Sequence, residues 1–501
     1  MRKFFREAKQ KIEAEIASIT GDDEPQQQQQ PPPQQQYYPP QPPHQGFERA
    51  VFAHFMVRDI RRPPQHHTMR CKCGTDAQHQ LSNTCEYTVD EYKVDIGLAQ
   101  QAHIDAFVLN FGIHEEAIVR LPDVFAAAEQ TGFKLLLSFD YEGAGAWPKE
   151  RVIEIVSRFG LSPAYFKRGH QPLVSTFEGV GNAADWHEIK AATNCFFIPS
   201  FSSIGADNAL KTGVTDGLFS WAAWPHGNAR KMDEGLDASY RHALGPHRPY
   251  MVAVSPWFYT NLPTWNKNWA WKGDDLWNDR WNEILAMRPE YVQILTWNDF
   301  GESHYIGPLH EKQFGAFEYG QAPFNYVRDM PHDGWRLLLP FLIDLYKYGT
   351  ATVRREGLVT WYRLHPAHAG DAGGTTGNTS SHGQELFHPS EIMEDKIVFS
   401  ALLTGPAQVT VSVGGVAEEA YWDEDDGTPA RGGVGVYHGS APFNGRTGEV
   451  VVTVHRGGEV AAQVQGRPIT TECHHGGMNN WNAWVGAAES HVETHAVAYL
   501  G

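Results

Sequence analysis

From residue 51 to about 298, short apolar runs alternate with more polar stretches of helical character. Eight runs have the length and the β-branched or aromatic content of strands: 51–57, 106–111, 134–139, 172–177, 195–200, 217–221, 250–255 and 291–297. Several are apolar at almost every position, as expected for strands covered on both faces of a parallel sheet. Helical stretches intervene, for example at 89–102 and 275–287. Eight β/α units within about 250 residues predict a (β/α)8 TIM barrel, an α/β fold. A doubly wound open sheet is the competing arrangement, but no Gly-rich phosphate fingerprint follows the first strand.

Beyond residue 345 the period changes to two. Alternating runs with Gly-rich turns, among them TVRREGLVTWYRL, DKIVFSALL, AQVTVSVGG and EVVVTVHRG, predict a C-terminal β-sandwich domain. GDAGGTTGNTSSHG, between the first two, is expected to be a flexible loop. At the other end, Phe4, Phe5, Ala8, Ile12, Ile16 and Ile19 share one face of a predicted helix rich in Lys and Arg. A Gln/Pro-rich stretch that cannot bury a core follows it. The expected organisation is a basic amphipathic helix (1–22), a linker (23–46), a catalytic barrel (47–345), a sandwich (346–473) and a tail of unassigned structure (474–501).

Composition narrows the function. The formal net charge of the 501 residues is −18, which disfavours nucleic acid and polyanionic substrates. A neutral polymer is compatible, and 16 Trp residues tilt the reading toward sugars. The five cysteines are an odd number and do not form a disulfide framework. The sequence shows neither a membrane-spanning run nor a secretory signal, so the expected location is cytoplasmic or peripheral to a membrane. Secretion by a route the sequence does not display is the alternative. The basic helix is a candidate for docking a membrane surface or a protein.

Barrel enzymes carry their chemistry just past the C-terminal ends of the strands. Those positions hold His54, Asn110, Asp140, Glu178, Trp221, Trp224, Trp257 and Tyr259. After the eighth strand come Asn298, Asp299, Glu302, His304 and Tyr305. Carboxylates among aromatic rings are what glycosidic cleavage requires. One carboxyl protonates the leaving oxygen, and another activates water or attacks the anomeric carbon. Asp299 and Glu302, three residues apart, are placed to perturb each other's ionisation.

The motifs FKLLLSFDY, DGLFSWAAWP, YMVAVSPWFYTNLP and above all YVQILTWNDFGESHYIGP resemble the fungal α-1,3-glucanases, or mutanases, of glycoside hydrolase family 71. The resemblance runs from about 51 to 345 and includes HDGWRLLLPFLI. It implies endo-hydrolysis of the cell-wall polysaccharide α-1,3-glucan with inversion, without cofactor or metal, and places the acidic residues on Asp140, Asp299 and Glu302. The expected roles are Glu302 as acid, Asp299 as base or electrostatic partner, and Asp140 holding water or substrate. An inverting pair stands about 6.5–9.5 Å apart; if Asp299 and Glu302 are closer, Asp140 becomes the stronger base. The remaining strand-end residues are expected to bind substrate. An endo-α-mannosidase-like hydrolase and a catalytically silent glucan-binding wall protein are the alternatives.

Two features depart from the family pattern. A basic helix and Gln/Pro linker stand where family members carry a signal peptide, and the first loop (58–87) is enlarged. That loop holds His66, His67, Cys71, Cys73, His79 and Cys85. It admits structural zinc, a disulfide from Cys71 or Cys73 to Cys85, or free thiols. WDEDDG at 422–427 reads as a solvated acidic turn in preference to a calcium loop, and Asn378 opens a glycosylation sequon.

Overall fold

Strand β1 (Ala50–Met56) is buried at every position. Such a run has no solvent face and needs cover on both sides. In the computed structural model it sits inside a curled sheet with β2 (Ala106–Phe111), β3 (Lys134–Asp140), β4 (Gln171–Phe177), β5 (Phe196–Ser200), β6 (Leu218–Ser220), β7 (Tyr250–Val254) and β8 (Tyr291–Ile294). The structure describes residues 48–57, 59–61, 80–82, 87–113, 115–143, 145–379, 384–423 and 433–500. The helix expected at 1–22, the linker at 23–46, most of the Cys/His-rich loop, including all its Cys and His residues, and most of the acidic turn lie outside them.

The eight strands are parallel, in the order β6–β7–β8–β1–β2–β3–β4–β5, so the first strand lies between the second and the last. No ladder joins β5 to β6. Two backbone bonds bring them together: Asp216 N and Gly217 N donate to Phe197 O at 2.9 and 3.3 Å. The result is a mixed α/β fold around a curled parallel sheet. Helices return the chain between strands, as at α1 (Val89–Gln101), where a capping box fixes the start. Thr88 Oγ1 accepts from Glu91 N at 3.3 Å, and Glu91 Oε2 accepts from Thr88 N at 2.8 Å. No helix among the described residues is long and apolar enough to cross a membrane.

After the helix Leu339–Tyr348, the chain enters two antiparallel sheets of four strands each. The first is ordered Gly435–Pro442, Lys396–Leu403, Thr350–Arg363, Ala483–Tyr499. The second is ordered Val416–Ala420, Gln408–Val413, Gly448–Arg456, Glu459–Ile469. Alternation splits the first sheet's side chains between two cores. Leu358, Tyr362, Phe399 and Ala401 meet Val411, Val452 and Val454 of the second sheet. Val359, Trp361, Val398 and Val485 join the core of the parallel sheet instead.

Three sequence expectations change here. The tail from 474, left unassigned, supplies the strand Ala483–Tyr499, which pairs along Thr350–Arg363. The loop expected to be flexible pairs through Thr376–Gly377 with Lys267–Ala270, so its described part is held in place. Asn378 of the sequon is fully buried and its Nδ2 donates to Glu385 O at 3.3 Å, leaving the amide no access to a glycan in the folded chain.

Candidate active site

The chain leaves β8 at Ile294 and doubles back on itself. Thr296 N donates to His304 O, and Ile306 N to Thr296 O, at 2.8 and 2.9 Å. The closed turn between them carries Asp299 and Glu302. Asp299 caps a short 3-10 helix by accepting from Glu302 N at 3.2 Å, and Tyr326 Oη pins the turn by donating to Gly301 O at 2.7 Å. Asn298 ties the turn to β1: its Oδ1 accepts from Met56 N at 2.7 Å and its Nδ2 donates to Met56 O at 3.2 Å.

His304 Nε2 stands 3.2 Å from Glu302 Oε2 and 3.7 Å from Asp299 Oδ2. Lys267 Nζ, from the hairpin after β7, donates to Glu302 Oε1. Burial acts to raise the Glu302 carboxyl, but Lys267 and His304 outweigh it and hold the group well below the usual carboxylate range. Burial acts to lower His304, and the two carboxylates overcome it, pushing the imidazole up to about 9. At neutral pH the cluster therefore has an ionised Glu302 beside a charged imidazolium. One ligand atom from each of Asp299, Glu302 and His304 falls within 4.8 Å of the others, a spacing able to hold a cation. Lys267 already supplies the positive charge there. The same spacing is shorter than the separation of an inverting acid–base pair.

A second group of carboxyls lies at the ends of β3 and β4, three and four strands from β8 in the sheet. Asp140 Oδ1 accepts from Glu142 N and Gly143 N at 2.9 and 2.8 Å, and the side chain is 5% exposed. Glu178 follows β4 with φ 51°, a left-handed backbone rare outside glycine and concentrated at functional sites. Its two oxygens accept from Ser203 N at 3.0 Å and Ser203 Oγ at 2.6 Å. Burial lifts this carboxyl to about 7 against the pull of the Ser203 bonds, with Glu142's charge adding to the rise.

Two tryptophans stand beside these groups. Trp221 and Trp224 are half-buried; Trp221 packs edge-on to His54 at 5.1 Å, and Trp224 lies 5.7 Å from His304 and stacks on Trp271 at 6.2 Å. The other expected residues are deeply placed. His54 is 1% exposed, with Nδ1 2.9 Å from Gln293 Nε2. Asn110 Nδ2 donates to Ser138 Oγ at 3.2 Å. Trp257 is 1% exposed and its Nε1 donates to Trp481 O at 3.0 Å. Tyr259 packs on Tyr326 at 4.8 Å, and Tyr305 stacks on His332 at 3.9 Å. These contacts tie the last three to the C-terminal segment and to the packing beneath the site. Sequence reasoning missed Lys267, Ser203 and Trp271. The alternation of Trp269 and Trp271 after Asn266-Lys267 was the one sign of a hairpin.

The sequence profile of glycosyl hydrolase family 71 matches residues 75–497. A glucan endo-1,3-alpha-glucosidase of Schizosaccharomyces pombe is 34% identical over 68% of this chain and 80% of its own length. A mutanase of Penicillium rubens is 31% identical over 74% of this chain and 76% of its own. Among solved structures, a GH99 endo-alpha-mannosidase from Bacteroides thetaiotaomicron aligns with TM-score 0.43 and 14% identity, covering 60% of this chain and 98% of the other.

Proposed function

The chain belongs to glycosyl hydrolase family 71 and is a glycoside hydrolase, and we propose that it cleaves α-1,3-glucan within the polymer, using the carboxylates of the turn after β8. The observation that carries this reading is the cluster of Asp299, Glu302, His304 and Lys267 at the strand ends, beside Trp221 and Trp224. Flat rings take the apolar faces of glucose units, and the carboxylates work on the bond between them. In the reaction the bond from the anomeric carbon to the bridging oxygen breaks. That oxygen gains a proton from a carboxylic acid, and water adds its hydroxyl to the anomeric carbon while a carboxylate takes its proton.

The charges around Glu302 favour its ionised form, which accepts a proton and cannot give one. We therefore assign the acceptor to Glu302, reversing the role expected from sequence, and place the donor with Asp140, because Asp299 stands nearer to Glu302 than the partner in an inverting pair does. On the same reading the curled sheet is a (β/α)8 barrel with its seam between β5 and β6. The two antiparallel sheets form an accessory β-sandwich that the strand Ala483–Tyr499 completes.

The test is incubation with insoluble α-1,3-glucan of the wild type and of the Asp299→Asn, Glu302→Gln and Asp140→Asn variants. Each loss of an acid or base is expected to cost about 10²–10⁴ in rate. A glucosyl fluoride needs no protonation of its leaving group, so it separates the roles. The donor variant keeps activity on it, and the acceptor variant does not. No sugar release by wild type from any α-linked glucan would sink the reading. Retained fluoride activity in Glu302→Gln would overturn its role as acceptor.

A further inference from the structure

Lys267 reaches the carboxylates from the hairpin Tyr259–Leu262/Lys267–Ala270, inserted after β7. Its side chain is 26% exposed and that of Glu302 16%, so the ion pair is largely shielded from water. The hairpin is held from behind. Trp269 and Ala270 pair in parallel with Thr376 and Gly377. The Asn268 amide completes the brace, its Nδ2 donating to Gly373 O at 2.9 Å and its Oδ1 accepting from Thr375 Oγ1 at 2.7 Å. The strand that presents Lys267 is thus clamped by the segment that joins Thr350–Arg363 to Lys396–Leu403, two neighbouring strands of the first C-terminal sheet.

Among the described residues, the charged or titratable groups found around Glu302 are few. Lys267 comes from the hairpin, and Asp299 and His304 from its own turn. The Tyr326 phenol is engaged with Gly301 O, and His332, below His304, is pushed down to about 3 by burial, so it brings no charge. Lys267 and His304 are the two positive charges, and His304 is shared with Asp299. Lys267 contacts Glu302 Oε1 while His304 contacts Oε2, and an ammonium so placed both orients a carboxylate and favours its ionised form.

We propose that Lys267 is a positioning residue of this active site: it holds Glu302 as an oriented proton acceptor and, through the Thr376–Gly377 clamp, makes the C-terminal sheets part of the catalytic apparatus. The proposal deepens the hydrolase reading and rests on it for its kinetic arm alone. It is tested on the full chain with Lys267→Met, Lys267→Arg and Thr375→Val. The Glu302 carboxyl is followed by ¹³C NMR in glutamate-labelled protein, its signal identified by loss in Glu302→Gln. In Lys267→Met the carboxyl is expected to titrate about 1–3 pH units higher than in wild type, and the acid limb of kcat/KM to move up with it. Lys267→Arg restores both. Thr375→Val, which loosens the clamp without touching a charge, lowers kcat severalfold with KM nearly unchanged. An unchanged Glu302 titration in Lys267→Met overturns the positioning role, and an unchanged kcat in Thr375→Val overturns the coupling. The titration stands whatever the substrate, so inactivity of wild type on α-1,3-glucan counts against the hydrolase reading alone.

Discussion

Replacing Asn298 by alanine is expected to cost stability and turnover, and to leave substrate affinity nearly unchanged. The side chain is 2% exposed, and both ends of its amide bond the main chain of Met56. Met56 ends β1 at a level where β8 has already stopped at Ile294, so the amide stands in for the missing strand partner. Alanine leaves a buried N–H and a buried C=O without that partner, at about 1–3 kcal/mol each. Partial relief by water brings the expected loss to about 2–4 kcal/mol. For domains of 150–250 residues each kcal/mol shifts Tm by about 2–4 °C; in this larger fold the fall is still a few degrees. The next residue is Asp299, so loosening the turn displaces the carboxylates proposed to react. A displacement of about 1 Å lowers kcat by up to about 10². Thermal melts, exchange of the Met56 amide and steady-state kinetics read these effects separately. A variant with wild-type Tm, a protected Met56 amide and a raised KM would refute the anchoring role and return Asn298 to substrate binding.

Other predictions follow from single contacts. Glu178 titrates near 7 in the folded state against an ordinary 4.5, so the folded protein keeps a proton that the unfolded chain releases across that window. Stability therefore falls as pH rises from about 4.5 to 7 and stays lower above it. Glu178→Gln, which cannot ionise, is expected to melt above wild type at pH 8 and level with it at pH 4; equal melting at both would count against the buried carboxyl. Trp224→Ala is expected to raise KM about tenfold, from about 1–1.5 kcal/mol of lost ring contact, with kcat little changed. An unchanged KM would make the ring a packing group. Cys195 is 1% exposed, and burial pushes its thiol up to about 11. It should resist iodoacetamide in the native protein at pH 8, as peptide mapping would show. Rapid alkylation would mean that β5 opens easily.

The strands were legible in the sequence because burial on both faces leaves a mark in every residue of a run. AVFAHFM and YVQI have no polar face to hide, and the runs read as strands begin or end within three residues of those observed. The β8 turn was legible for a different reason: Asp299 and Glu302 lie three apart, so their proximity is local and needs no tertiary information. Lys267 is 35 residues from Glu302 along the chain, and Thr376–Gly377 is about a hundred residues from the hairpin it clamps. No period or motif announces such a contact.

The sequence by itself determined the alternation of strand and helix, the change of period near residue 345, and the carboxylates that follow the strands. Each depends on residues close together in the chain, where side-chain spacing and backbone geometry are coupled. Tertiary structure decided which strand-end residues keep exposed surface and which are fully enclosed. Trp257 and Tyr305 carry the chemistry of sugar contacts, but the fold encloses them against Trp481 and His332. It also set the charge on Glu302. A carboxyl's ionisation depends on the dielectric and on charges within a few ångströms, and those came from a hairpin whose place in the chain says nothing of where it lands.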